Sequence, residues 1–265
     1  MKIYISADIE GITGTSHWDE TEKKHPDYEE FRQQMTDEVG AACQGALEAG
    51  ATEIWVKDAH DSARNLISSR LPQEAKVVRG WAGHPYMMVQ GLDASFAAVF
   101  MIGYHSRAGS SANPLAHTMT SSLSYLKINE QFASEFLINA TTAALEHVPV
   151  ALVTGDAGLC AEAAGQVPGL TTVAVKQGLG HSTVNLHPQL AVSQIRTAAR
   201  TALSGDLSRC QAPLPAHFAV EIGYKDHNRA YAASFYPGAH LSDPHTLIFE
   251  TSAYFEVLRL FSFVF

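Results

Sequence analysis

Short apolar runs alternate along the chain with segments whose apolar residues lie three or four positions apart. The runs are typical of buried strands, and the wider spacing is that of one buried helix face. This alternation predicts an α/β fold with a mostly parallel central sheet and helices on both faces. The predicted strands cover residues 3–7, 53–58, 97–103, 123–128, 150–154 and 171–175.

The first helix has the clearest pattern. Asp27 and Glu30 occupy the positions of a capping box at its start, and Gly50 marks its end. Two further helices are predicted over residues 134–146 and 188–203, and the second of them has one apolar face. The buried stripe of the first helix repeats every four positions: Phe31, Met35, Val39, Cys43 and Leu47.

The pattern changes in the last part of the chain. From about His217, alternating apolar residues predict strands, followed by a loop rich in Pro, Gly, Asp and His and by a terminal helix. We therefore predict a boundary at residues 213–215, with an α/β domain over residues 1–212 and a smaller C-terminal α+β lobe over residues 213–265. The apolar stretch 261–265 is expected to pack into a core or a subunit contact.

The composition limits the classes of function. The chain has 265 residues, 46% hydrophobic content and a formal net charge of −9. No run of Lys and Arg provides the positive stripe that nucleic-acid binding requires, so small molecules or peptides are favoured as partners. No segment has the character of a signal peptide or a membrane span, so we expect no membrane partner and a cytoplasmic location.

The cysteines give no sign of a metal or disulfide framework. Cys43, Cys160 and Cys210 are odd in number, lie far apart and form no CxxC motif. We expect them to be reduced thiols.

Acidic and imidazole side chains follow several predicted strands. Asp8 and Glu10 lie two residues apart after the first strand, so in an extended chain they face the same side, where mutual repulsion favours a bound cation. Alternatively, Asp8 and Glu10 form only a turn or a helix cap after the first strand, and Gly11 marks the end of that turn. His60 and His105 follow the next two strands, and a parallel sheet places all four residues at its carboxyl edge, where ligands bind. A single histidine there could equally be a hydrogen-bonded core residue.

Glu135 is a weaker candidate when taken alone. It lies in the first turn of the predicted second helix, where the helix dipole favours an acid for local reasons. The preceding strand, residues 123–128, would nevertheless bring this helix start close to the same edge of the sheet.

With these five residues assembled, the chain resembles the M55 family of bacterial D-aminopeptidases, most specifically from residue 3 to about residue 180. The motifs that carry the resemblance are Ser6-x-Asp8-x-Glu10-Gly11, Asp58-Ala59-His60, Arg64-Asn65-Leu66, residues 99–105, His117-Thr118, Glu135 and Gly155-Asp156. By position, the family's metal ligands are matched by Asp8, Glu10, His60, His105 and Glu135, and its catalytic histidine by His117.

The resemblance implies two zinc ions per subunit with Asp8 as the shared ligand, and a homodecameric ring that encloses the active sites. Carboxylates and imidazoles without thiolates suit zinc, and also manganese or cobalt. Two such ions can hold a hydroxide that attacks the scissile carbonyl and can stabilise the oxyanion. We therefore expect hydrolysis of the N-terminal residue of short peptides that contain D-amino acids, with His117 donating to the oxyanion or to the leaving amine.

Four positions depart from the family pattern without removing a ligand: Gln90, Ser134, Ala157 and Gln177. These departures leave the substrate open. A dinuclear site could also act on another amide or on a phosphoester, although the sequence has no Walker loop and no Arg cluster for phosphate. A third hypothesis is a non-catalytic metal- or peptide-binding protein, in which the cation contributes to folding and His117 has no role.

Overall fold

The computed structural model describes residues 1–265, which form strands β1 to β12 and helices α1 to α6. The strands are β1 (Lys2–Ala7), β2 (Glu53–Asp58), β3 (Ala75–Val78), β4 (Ala98–Tyr104), β5 (Leu123–Ile128), β6 (Gln131–Phe132), β7 (Val150–Asp156), β8 (Thr171–Leu179), β9 (Ser182–Asn185), β10 (Phe218–Tyr224), β11 (His240–Asp243) and β12 (Thr246–Thr251). The helices are α1 (Tyr28–Glu48), α2 (Glu135–Leu145), α3 (Ala157–Gln166), α4 (Pro188–Ser204), α5 (His227–Ala233) and α6 (Tyr254–Val264).

The central sheet has the strand order β3-β2-β1-β4-β7-β8-β9. All neighbouring strands are parallel except β8 and β9, which form a hairpin. Helices α1 and α4 pack on one face, and α2 and α3 cover the other. On β1, Ile3 and Ile5 enter the first of these cores and Tyr4 enters the second, which explains the unbroken apolar run. The predicted α/β fold with helices on both faces is confirmed.

A second sheet is antiparallel and has the order β11-β12-β10-β5-β6. Helices α5 and α6 pack against β10 and β12 in its core. Because β5 and β6 precede residue 213 in the chain, this sheet combines strands from both sides of the predicted boundary, which stays a prediction. Within the apolar end, Phe261 is buried in this core and Phe263 is exposed.

Two local features differ from the sequence-based expectations. Asp27 precedes α1 with a helical backbone and makes no capping hydrogen bond through its side chain, so the predicted capping box with Glu30 is wrong. A cap of that kind needs an extended backbone at the first position. Helix α3 was not predicted, since its Ala and Gly residues give little periodicity. None of the helices combines the length and apolar character needed to cross a membrane.

Candidate metal centre and active site

Four candidate side chains meet at the carboxyl edge of β1, β2 and β4. His60 Nδ1 lies 3.4 Å from Asp8 Oδ1 and 3.0 Å from Glu10 Oε2. His105 Nε2 lies 3.5 Å from the other oxygen of Asp8, Oδ2. The order β2-β1-β4 of parallel neighbours therefore brings these four groups to one place.

The backbone that carries Asp8 and Glu10 differs from the prediction. β1 ends before both acids, which lie in the turn that follows it, so strand alternation does not explain why their carboxylates converge. The turn packs against the end of β4, where the Gly11 N–H donates to Gly103 O at 2.8 Å. A Cβ at Gly11 would lie 1.7 Å from Tyr104 O, so only glycine fits this close approach.

Glu135 and His117 complete the cluster. Glu135 is the first residue of α2, and Ser134 caps that helix through its side chain. Glu135 Oε2 lies 3.3 Å from His105 Nε2. His117 Nε2 lies 3.7 Å from Glu135 Oε1 and 4.0 Å from Glu10 Oε1. The structure thus brings all six candidate residues together in one site.

Backbone carbonyl groups orient the three imidazoles. A carbonyl oxygen can only accept, so the ring nitrogen facing it carries the proton, and in the neutral ring the other nitrogen offers a lone pair to the centre of the site. The pairs are His60 Nε2 with Thr21 O at 3.0 Å, His105 Nδ1 with Ser106 O at 3.0 Å and His117 Nδ1 with Leu115 O at 2.9 Å.

The buried carboxylates attract positive charge strongly. Burial raises the pKa of Asp8 well above its ordinary value, and the Glu10 carboxylate adds to that rise. Burial would also raise the pKa of Glu10, but the His60 imidazole outweighs it and holds that pKa well below its ordinary value. Burial alone would lower the pKa of His105, yet the Glu135 carboxylate outweighs it and raises the pKa to about 10. The negative charge of these carboxylates can therefore be balanced either by protons on the imidazoles or by a bound cation.

The pKa of His117 is shifted in the opposite direction to that of His105. Burial and the neighbouring His105 lower its pKa below the ordinary value. The two rings stack with their centres 4.3 Å apart and their planes at 13°. His117 is therefore neutral at neutral pH, with its proton on Nδ1 and a free lone pair on Nε2.

Polar atoms of the cluster are left without partners inside the protein. Glu10 Oε2, His105 Nε2 and Glu135 Oε2 are buried and make no hydrogen bond, and the short contact between Glu10 and His60 lacks hydrogen-bond geometry. Such atoms are costly unless a ligand completes them. Three sets of converging donors could each hold an ion: Asp8, Glu10 and His60; Asp8, His105 and Glu135; Glu10, His105 and His117. Since Asp8 belongs to two of these sets, the residues fit a pair of ions with a shared carboxylate.

A cavity of about 560 Å³ is lined by five of the six candidates, all except His105. This volume is typical of a small-molecule site. Its wall also contains two acids, Glu22 and Asp61, and two indoles, Trp18 and Trp81, but no Lys or Arg. The cavity, which we call the metal cavity, therefore favours a ligand with a positive charge.

The sequence analysis assigned no role to a layer of polar residues behind the cluster, although Asp156 belongs to one of the motifs that carry the family resemblance. The buried Lys176 ammonium donates to Glu10 O, and Asn113 Nδ2 donates to the same oxygen at 3.2 Å and to Asp156 Oδ2 at 3.1 Å. Asp156 also accepts the Ser106 N–H at 2.7 Å. We call Lys176, Asn113 and Asp156 the support layer. A lysine directly after the apolar strand run 171–175 was a further signal, since a buried ammonium needs partners.

Comparison with known proteins supports one family. The sequence model of the M55 peptidases, described as D-aminopeptidase, matches residues 1–263. A D-aminopeptidase of Bacillus subtilis (strain 168) is 31% identical over 250 residues, which cover 94% of this chain and 90% of the relative. The structure of the Zn-dependent D-aminopeptidase DppA from Bacillus subtilis, described as a self-compartmentalizing protease, superimposes with a TM-score of 0.93 at 29% identity and covers 100% of this chain and 96% of that one. The chain belongs to the M55 peptidase family of D-aminopeptidases.

Proposed function

We propose that the chain is a zinc-dependent aminopeptidase that removes the N-terminal residue of short peptides containing D-amino acids. The observation that carries this proposal is the pair of buried donor sets that share Asp8 and open into the metal cavity. The zinc-dependent DppA structure and the family described as D-aminopeptidase support the metal and the substrate class.

The proposed ligands of two zinc ions per subunit are Asp8, Glu10, His60, His105 and Glu135. Oxygen and imidazole donors without a thiolate fit zinc, and the unpartnered atoms of Glu10, His105 and Glu135 fit a site that a cation completes. Bound zinc would supply a Lewis acid for the scissile carbonyl and would lower the pKa of a bound water. Asp8 would hold both ions, because each of its oxygens faces a different histidine.

His117 is the proposed proton carrier. Its neutral ring presents the free Nε2 lone pair to the metal cavity, so this atom can accept a proton from the attacking water and pass it to the leaving amine. The Leu115 carbonyl holds the other nitrogen and fixes the ring orientation. The free amino terminus of a peptide would meet the acidic wall of the same cavity.

We also propose that the chain assembles into a homodecameric ring in the cytoplasm. The description of DppA as a self-compartmentalizing protease supports an assembly, and light scattering of the zinc-loaded protein would measure it. A mass of one subunit at micromolar concentration would contradict the ring.

The proposed function is tested with D-Ala-D-Ala and L-Ala-L-Ala. The protein is stripped with a chelator, reconstituted with zinc and analysed for metal content and free alanine. We expect two zinc ions per chain and cleavage of the D-peptide that depends on zinc. Two bound ions without cleavage of either peptide would favour another amide, a phosphoester or a binding role instead.

A further inference from the structure

A second cavity of about 520 Å³ adjoins the metal cavity. The two cavities share Trp81 and Met119 in their walls. The second one contains no Asp, Glu, Lys or Arg in its lining, and its main walls are apolar: Trp81, Met87, Met119, Phe261 and Phe265. We call it the apolar cavity.

The two shared residues are fixed to the rest of the site. Trp81 Nε1 donates to Asp61 O at 2.6 Å, and the Lys57 ammonium lies 3.9 Å from the centre of the indole ring. The Met119 N–H donates to Glu135 Oε1 at 2.7 Å, so this wall is tied to one of the proposed ligands. One side of the partition between the cavities, at Met119, is thus bonded directly to a proposed metal ligand.

The apolar end of the chain forms the far part of this cavity. Phe261 is 1% exposed and anchors α6 in the core of the second sheet. Phe265 is half-buried and stacks on Phe261 with ring centres 4.7 Å apart. The apolar chain end therefore contributes Phe261 and Phe265 to the lining of the apolar cavity. Gln90, one of the departures from the family pattern, also lines this cavity.

The charges of the two cavities differ sharply. Five acids, Asp8, Glu10, Glu22, Asp61 and Glu135, line the metal cavity. An aminopeptidase accepts one residue before the scissile bond, and its ammonium group suits this acidic wall. The peptide must then continue beyond the metal site, and the adjoining apolar cavity is large enough for a side chain.

We infer that the apolar cavity binds the side chain of the residue that follows the scissile bond, and that it selects an uncharged apolar or aromatic side chain there. This inference rests on the proposed function. Moving an aromatic side chain from water onto Trp81, Met119 and Phe265 is favourable, and a charged side chain would lose hydration without gaining an Asp, Glu, Lys or Arg of opposite charge. A third cavity of about 330 Å³, which contains Lys23 and Lys24 and also adjoins the metal cavity, is the competing route for a charged residue.

The test uses the zinc-loaded full chain and four dipeptides: D-Ala-D-Ala, D-Ala-D-Phe, D-Phe-D-Ala and D-Ala-D-Glu. We expect kcat/KM for D-Ala-D-Phe to exceed that for D-Ala-D-Ala by about tenfold, which is the effect of about 1.4 kcal/mol from partial burial of the ring. D-Ala-D-Glu should be the poorest of the four substrates.

A variant then tests whether the preference for D-Ala-D-Phe depends on the apolar cavity. Ser262 is exposed and lines that cavity, so Ser262→Trp fills it while every buried core residue stays unchanged in identity. The ratio of kcat/KM for D-Ala-D-Phe over D-Ala-D-Ala should fall to about one. Ser193→Trp, at an exposed position of α4, is the matched control and should keep the wild-type ratio.

The outcomes separate the two proposals. Hydrolysis of D-Ala-D-Ala with no preference for D-Ala-D-Phe, or with a ratio that Ser262→Trp leaves unchanged, overturns the inference alone. A preference for D-Phe-D-Ala or for D-Ala-D-Glu overturns it as well, because the side chain would then bind elsewhere. No cleavage of any dipeptide by the zinc-loaded protein overturns the proposed function and the inference together.

Discussion

The cluster of six candidate residues forms the front of the carboxyl edge, and the support layer forms its back. Both are polar and buried, yet their polar atoms find partners in different ways. In front, Glu10 Oε2, His105 Nε2 and Glu135 Oε2 have no partner within the protein. Behind them, the Lys176 ammonium donates to three oxygens and the Asp156 carboxylate accepts four hydrogen bonds.

This difference separates a structural network from a binding site. Buried polar groups that serve only the fold are paired with one another, and the support layer follows that rule. The groups in front are held in place by the backbone but converge without partners, which is the arrangement expected where a cation is the missing component. Three of the six buried side-chain atoms without a partner lie together in this one cluster, and it is their convergence that indicates a binding site.

The largest expected effect comes from removing the residue shared by two donor sets. Asp8→Asn should bind fewer than one zinc ion per chain and should lower kcat by at least about 10⁴-fold, because both the Lewis acid and the acidified water depend on the ions. Elemental analysis and D-Ala-D-Ala cleavage measure the two effects.

Two comparison variants, His60→Gln and Asp61→Asn, show whether the loss of zinc is specific to the shared carboxylate. His60 belongs to only one of the two donor sets that share Asp8, so its variant should keep one ion. Asp61 lines the same cavity but belongs to none of the sets, so its variant should keep both ions. Two tightly bound ions in Asp8→Asn would show that this carboxylate is not shared.

Replacing His117 tests whether this residue of the front carries a proton or binds a metal ion. If Nε2 moves a proton and holds no metal, His117→Gln should keep two zinc ions and lose about 10²–10⁴-fold in kcat, which corresponds to about 3–5 kcal/mol. The pH profile of kcat should also lose the limb that reflects this imidazole. Because His117 also forms a donor set with Glu10 and His105, loss of one ion in this variant would instead identify it as a ligand.

Glu38 is the exception behind the front, since its Oε2 is buried without a partner. Burial raises the pKa of this carboxyl group to about 7, so uptake of a proton removes its buried charge, whereas a cation would offset the charge in front. The folded chain holds this proton to a higher pH than the unfolded chain. The stabilisation is therefore complete below the unfolded-state pKa and is lost as pH rises through about 7.

Urea unfolding of the metal-free protein measures this effect. Relative to Glu38→Gln, the free energy of unfolding of the wild type should fall by about 3 kcal/mol between about pH 4 and pH 8. Gln keeps an acceptor for the Thr13 N–H, which now donates to Glu38 Oε1 at 2.9 Å. Glu30→Gln, at an exposed position of the same helix, is the control. Parallel pH curves for wild type and Glu38→Gln would contradict the buried proton.

The sequence predicts the front of this edge better than the back. The short apolar runs and the histidines that follow β2 and β4 are sufficient to place Asp8, Glu10, His60 and His105 together. The reason first assigned to Asp8 and Glu10 was wrong, because their convergence depends on the turn that Gly11 packs against β4.

The support layer depends on contacts that no local pattern contains. Lys176 and Glu10 are 166 positions apart in the chain, and Asn113 lies in a loop without periodicity. The second sheet was equally hidden, since β5 pairs with β10 across three intervening helices and strands of the other sheet. Periodicity reports which face of an element is buried, but not which distant polar groups become partners there.

The smallest expected effect links the two regions directly. Lys176→Met removes the ammonium that holds the Glu10 carbonyl and leaves every proposed ligand in place. If the support layer positions Glu10 for the ion, zinc affinity should weaken by about 10-fold to 100-fold, as for other residues that orient metal ligands. Competition with a fluorescent chelator measures the affinity, and KM for D-Ala-D-Ala should change less than kcat.

A matched lysine distinguishes positioning from general stability. Lys127→Met removes an ammonium that pairs with Glu221 at 3.1 Å in the second sheet and makes no hydrogen bond or ion pair with a proposed ligand, so it should leave zinc affinity unchanged. Both variants are compared at equal folded fraction, measured by circular dichroism. If Lys176→Met lowers the free energy of unfolding but binds zinc as tightly as wild type, the back of the edge serves the fold alone, and the turn at Gly11 is sufficient to aim Glu10 at the ion.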